Sequence, residues 1–162
     1  ESIAEIGESC SLGTATLLRN APGGNSDAGK YAVDYSVLLG GGENPVFEYV
    51  GDNWSRTTSR KISLTGEKGV VRNSSVGKAQ LQLLGGVDSV DDQAHTLVLD
   101  GTSTVKAVIG KISDGSAHGR VNVVKDGSCT WRLVGTNEFS GTLAVKGGTL
   151  EVGDFADYDI LG

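Results

Sequence analysis

The chain has 162 residues, 20 of them acidic and 14 basic, for a formal net charge of −6. No run of Lys or Arg interrupts that balance. Phosphate binding needs a clustered positive field, so no nucleic-acid partner is expected, and the acidic surplus is read as solubilising. At 38% hydrophobic and 21% charged residues the composition is that of a globular chain rather than a disordered one. A single domain of this length buries roughly 70% of its unfolded surface, so no cofactor is needed to hold a core together.

Gly occurs 25 times and Pro twice, which predicts many short segments joined by glycine turns. There is no Met, so the chain is expected to be a processed product or a piece of a longer polypeptide. No apolar run approaches the length of a membrane-spanning helix.

Residues 1–30 are rich in Gly, Ser and Asn, with periodicity only from Ala15 to Leu18, and are expected to form an irregular N-terminal cap. From residue 31 to 162 short alternating apolar segments recur, each closed by Gly, Asp or Asn. They run Tyr31 to Leu39, Val46 to Val50, Lys61 to Thr65, Val70 to Arg72, Gln80 to Leu84 and Thr96 to Leu99. Further segments are Val105 to Ile109, Arg120 to Val124, Thr130 to Val134, Leu143 to Val145 and Leu150 to Val152. Alternation at period 2 puts Leu97 and Leu99 on one face and Val98 and Asp100 on the other.

No stretch holds a helical period between turn signals, so the chain is expected to be all-β. Thr142-Leu143-Ala144-Val145 is followed seven residues later by Thr149-Leu150-Glu151-Val152. So short a repeat suits successive sides of one solenoid coil better than the strands of a sandwich. The expected fold is a single-domain parallel β-solenoid, residues 31–162, in which stacked coils bury inward apolar ladders.

The stretch from Lys125 to Gly153 resembles the autotransporter-associated β-strand repeat of bacterial passenger domains. The residues that carry the resemblance are Lys125, Gly127, Trp131, Leu133, Gly135, Asn137, Phe139, Gly141, Val145, Gly148, Thr149, Leu150 and Val152. Cys129 stands where that family usually has Gly, and Leu143 where it usually has Thr. The resemblance implies a right-handed β-helix, secreted or displayed on an outer membrane and joined to other domains of the same polypeptide. It implies no catalytic residue, because the motif is architectural.

Cys10 and Cys129 lie far apart and form no metal-ligand pattern with His95 and His118. A bridge between them would close a loop of about 120 residues, worth roughly 4 to 5 kcal/mol on the chain-entropy model. The alternative is a pair of buried free thiols.

Asp88, Asp91 and Asp92, with His95, form the densest acidic cluster and are weak candidates for Ca²⁺, although their spacing matches no known calcium loop. Trp54 and Tyr49 are weak candidates for stacking on a glycan, as are Tyr31 and Tyr35, each also readable as core. Asp114 and His118 share a Ser/Gly-rich turn that lacks a nucleophile elbow. Asp34, Glu48 and Arg60 would matter only if the fold gathered them into a groove. Asn53-Trp54-Ser55 and Asn73-Ser74-Ser75 fit the glycosylation pattern. The expected function is therefore non-catalytic, a stalk or display segment with possible adhesion. The alternatives are a carbohydrate-binding module and, less favoured, a polysaccharide-degrading β-helix enzyme.

Overall fold

The computed structural model describes residues 10–12, 15–17, 37–40, 45–51 and 55–153. Its fifteen strands are β1 (Cys10–Leu12), β2 (Ala15–Leu17), β3 (Val37–Leu39), β4 (Val46–Tyr49) and β5 (Arg56–Thr58). They continue with β6 (Ile62–Leu64), β7 (Lys68–Asn73), β8 (Leu81–Leu83), β9 (Val87–Ser89) and β10 (His95–Gly101). The last five are β11 (Ala107–Ile109), β12 (Val121–Lys125), β13 (Thr130–Leu133), β14 (Leu143–Val145) and β15 (Thr149–Val152). No helix occurs among the described residues.

From β3 onward every pairing is parallel and joins each strand to its counterpart one turn away. β3, β6 and β9 make the first face. β4, β7, β10, β12 and β14 make the second, and β5, β8, β11, β13 and β15 the third. Single bridges Val87 to Ile112 and Ser113 to Glu138 extend the first face. The result is an all-β parallel β-solenoid of about four turns. β14 and β15, the two seven-residue repeats, occupy successive sides of one coil, on the second and third faces.

The inward positions explain why strands of three residues suffice. On the first face Val37, Ile62 and Val87 stack in register, as do Leu39, Leu64 and Ser89. The second face stacks Phe47, Val71, Leu99, Lys125 and Val145. The third stacks Leu83, Ile109, Leu133 and Val152 beside Ala107, Trp131 and Leu150. Trp131 follows the small Ala107 in its row, so a large ring and a methyl share the available width. Each fully buried aliphatic or aromatic side chain contributes about 1.5 to 3 kcal/mol relative to exposure.

Alternation is complete in β10: His95, Leu97, Leu99 and Gly101 are buried, with Thr96, Val98 and Asp100 half-buried on the outside. The chain leaves β10 at Gly101, whose φ is 138° and where a Cβ would lie 2.1 Å from the Asn73 carbonyl oxygen of the coil before. Only glycine fits that corner.

The outside of the second face carries a row of its own, Val46, Val70, Val98, Val124 and Ala144. Beside it Arg72 donates from Nε to Asp100 Oδ2 at 2.8 Å, linking two coils. At the N-terminal end β1 and β2 form an antiparallel hairpin, and β2 packs beside β3. The hairpin falls within the stretch expected to cap the solenoid. The rest of residues 1–30 lies outside the described residues.

β5 (Arg-Thr-Thr) and β9 (Val-Asp-Ser) were not foreseen, because in each only the inward positions need to suit the core and one apolar residue at most is available. The expected disulfide is absent: Cys129 is a free, buried thiol. Its position just before the inward Trp131 is within the core cluster, so its side chain serves packing rather than a bridge to Cys10.

Candidate functional site

Of the residues matching the repeat motif, Lys125, Gly127, Trp131 and Gly148 gather at the corner between the second and third faces, while Gly135, Asn137, Phe139 and Gly141 lie on the return from β13 to β14. Alternation through Val121, Val123 and Lys125 turns all three inward, and Lys125 is 0% exposed. A buried ammonium is costly unless its donors are used. Here Nζ donates to the main-chain carbonyls of Asp126, of Gly127 at 3.0 Å and of Gly147 at 3.1 Å. Gly147 lies in the next coil, so the side chain ties two coils together. Gly127, Gly135 and Gly148 all have positive φ, at 69°, 75° and 62°. These are corner positions where other residues are strained.

Trp131 is fully buried and its Nε1 donates to the Asp100 carbonyl at 3.0 Å. The Asn137 side chain accepts from the Ile112 amide at 2.9 Å and donates to the Gly135 carbonyl at 3.1 Å, replacing a strand rung where the first face thins out. Phe139 and Leu150 pack half-buried against the core. Leu133 is buried inward, whereas Val145 and Val152 are exposed on the last described tier. Gly141 lies against the Val121 carbonyl, where a Cβ would stand 2.1 Å away.

In the two coils before, the same corner is filled by a polar spine that sequence reading missed. Asn73 is buried; it donates to the Val105 carbonyl and accepts from the Ser75 amide. Ser75 and Ser103 share a 2.9 Å hydrogen bond, and Ser75 also donates to the Ala79 carbonyl. Burial of Asn73 removes it as a glycan acceptor. Phase was the available signal, since Asn73 lies two residues beyond the inward Val71.

The acidic cluster does not assemble into a metal centre. Asp88 points outward from β9, where it pairs with Lys61 at 3.0 Å and accepts from Ser63 Oγ at 2.8 Å. Asp92 accepts from the Gln93 amide side chain. Asp91 accepts from the Gln93 main-chain amide and contacts His95 Nε2, each at 2.8 Å. These contacts, the Gln93 amide first and His95 second, hold the Asp91 carboxyl below the usual carboxylate range. Asp88 is engaged on β9, apart from Asp91 and Asp92, which are each held by Gln93, and no metal-ligating cluster exists among the described residues.

The remaining candidates are dispersed. Tyr49 is turned inward and buried, so its ring faces belong to the core, and Trp54, Tyr31, Tyr35 and Asp34 lie outside the described residues. Glu48 is on the outer side of β4, where it accepts from Ser74 Oγ. Arg60 sits at the corner between the third and first faces.

Asp114 acts as a staple. Burial pushes its carboxyl upward, but hydrogen bonds from the Val121 amide and from Ser140 overcome that and lower it overall. It accepts from the Val121 amide at 2.9 Å and the Ser140 amide at 3.0 Å, while the His118 ring is exposed in the turn above. Burial raises the Cys129 thiol, with Lys125 acting in the opposite direction. A thiol so placed is a poor nucleophile. Polar side chains in these corners hold main-chain groups, and their chemistry is that of joining coils.

No protein-family model, no curated protein and no solved structure matches this chain.

Proposed function

We propose that the chain is a rigid, non-catalytic spacer or display segment of a secreted or surface-exposed bacterial protein, carrying other domains of the same polypeptide away from the cell. The observation that bears most weight is the unbroken parallel register from β3 to β15, in which each coil is tied to the next through both ladders and side chains. Lys125, Asn137 and Asp114 each reach from one coil to its neighbour. An array so cross-linked transmits force and holds its ends at a fixed separation.

The resemblance of residues 125–153 to the autotransporter-associated repeat supports the extracellular or outer-membrane setting and a right-handed winding. Adhesion is part of this reading only through that resemblance. Leu143, Val145 and Val152, 47%, 55% and 68% exposed, form an apolar tier of the kind that a further coil covers. A carbohydrate-binding reading gains no support from Phe47, Tyr49 or Trp131, all buried.

The test is a distance measurement. Spin labels at Thr57→Cys and Glu151→Cys, in a Cys10→Ser, Cys129→Ala background, mark the outer row of the third face. Thr57, Gln82, Val108, Arg132 and Glu151 follow one another there. Four strand spacings place their Cα atoms about 19 Å apart. One narrow population by pulsed electron resonance is expected. A broad distribution would remove the spacer reading, and turnover of a polysaccharide by the purified chain would replace it with an enzyme.

A further inference from the structure

The dipeptide Asp-Gly occurs three times, as Asp100-Gly101, Asp114-Gly115 and Asp126-Gly127. Each lies where the chain turns from one face toward the next, and the three glycines have positive φ, at 138°, 73° and 69°. In such a pair the glycine amide can reach the carboxyl carbon of the residue before it, because no Cβ shields the nitrogen. What each carboxylate is engaged with then decides which of the three can react.

Two of the three are held. Asp100 is clamped by Arg72, whose Nε donates to Oδ2 at 2.8 Å, and Gly101 is the last residue of β10, in register with Asn73. Asp114 spends its carboxylate on the amides of Val121 and Ser140, at 2.9 and 3.0 Å. Asp126 differs: it is exposed, and among the described residues its carboxylate takes one hydrogen bond, from the amide of its own successor Gly127 to Oδ1 at 2.8 Å. Gly127 lies outside the ladders, beyond the end of β12 at Lys125. Asp126 Cγ therefore sits one covalent bond from an oxygen that already touches the amide nitrogen. Groups held so close are spared the entropy that an encounter would cost. A Cβ on Gly127 would stand 2.4 Å from Asp100 Oδ1, so the position excludes any side chain that would screen that nitrogen.

We propose that Asp126-Gly127 is a self-modification site, at which the chain converts aspartate to isoaspartate through a succinimide with solvent water as the co-reactant. The Gly127 nitrogen bonds to Asp126 Cγ. The bond from Cγ to the carboxyl hydroxyl breaks, and that hydroxyl leaves as water with the amide proton. A second water then opens the ring. Addition at Cγ breaks the new bond and restores aspartate. Addition at the Asp126 main-chain carbonyl carbon breaks the original peptide bond and leaves the main chain running through Cγ. No atom is gained or lost overall, but the main chain is longer by one carbon. The Asp126 carbonyl meets Lys125 Nζ and becomes a carboxylate, while the Gly127 carbonyl, a second acceptor of Nζ, is displaced. The change thus falls on the side chain that ties this coil to Gly147 in the next.

The experiment needs no variant. The full chain is aged in warm neutral buffer made with oxygen-18 water, once folded and once in guanidinium chloride. Each sample is then denatured and digested with a protease that cuts before aspartate but not before isoaspartate. In the folded sample, cleavage before Asp126 is expected to fall with time and the uncut peptide to gain one oxygen-18, while cleavage before Asp100 and Asp114 is unchanged. In the unfolded sample the three sites are expected to lose cleavage at similar rates, since each is then a plain Asp-Gly-Ser or Asp-Gly-Thr sequence. Full cleavage before Asp126 in the aged folded chain overturns the site. Equal loss at all three sites in the folded chain, or a lead for Asp126 in the unfolded one, also overturns it, because the selectivity would not then come from the fold.

Discussion

The two ends of the solenoid reach the same backbone geometry by different means. Around β3, β4, β6 and the body of β7 the interior is mainly hydrocarbon, with polar Asn73 and Ser75 confined to the corner that follows: Val37, Leu39, Phe47, Ile62, Leu64 and Val71 are all buried and belong to one core cluster. Around β12 to β15 the interior admits an ammonium, a thiol and an indole N–H, and the ammonium and the indole N–H are spent on main-chain carbonyls. Hydrophobic burial is non-directional and tolerates exchange of shape. A carbonyl cage is directional and tolerates almost none. The first half is therefore held by area and the second by positions.

The largest expected effect lies within the second regime. Trp131→Ala removes the biggest buried ring and the donor to the Asp100 carbonyl, and is expected to cost about 3 to 5 kcal/mol by urea unfolding. A loss below about 1 kcal/mol would mean that the row over Ala107 collapses freely.

Next comes Lys125→Met, which keeps the length of the side chain but leaves the Asp126, Gly127 and Gly147 carbonyls without their donor. A loss of about 2 kcal/mol is expected, with faster amide exchange in β14 than in β7. An unchanged or raised midpoint would show that hydrocarbon serves both ends equally well. The smallest effect is expected for Val152→Ala at the exposed tier, within about 0.5 kcal/mol of the parent. A larger loss would show that this tier is covered in solution.

The interior was legible wherever strand alternation survived. Leu97 and Leu99 were assigned to one face, and both are buried in the core. The same phase, carried two residues further, would have turned His95 and Lys125 inward. A charged or titratable residue was instead read as a turn or surface feature, because burial of such groups is rare without partners. Those partners are main-chain carbonyls of other coils, which no residue type announces.

β5 and β9 were illegible for the opposite reason: a three-residue strand presents only two inward positions, and Arg-Thr-Thr or Val-Asp-Ser offers too little contrast. The cysteines misled because their number fits a bridge as well as it fits two thiols. Only the place of Cys129 in the core separates the cases. Asp88, Asp91 and Asp92 are neighbours in sequence, but a strand sends Asp88 to Lys61 and Ser63 while a turn holds the other two on Gln93.

The turn between Ser113 and Val121 shows what a ladder-built molecule leaves unconstrained. Ser116, Ala117 and His118 are exposed above a base that Asp114 fastens to Val121 and Ser140. The coils on either side are registered by β10, β12 and β14, not by this excursion. The excursion is thus a socket: a peptide epitope grafted at Ala117 would be presented at a defined height along the shaft, its two ends pinned by the Asp114 staple, without altering the pitch beneath it.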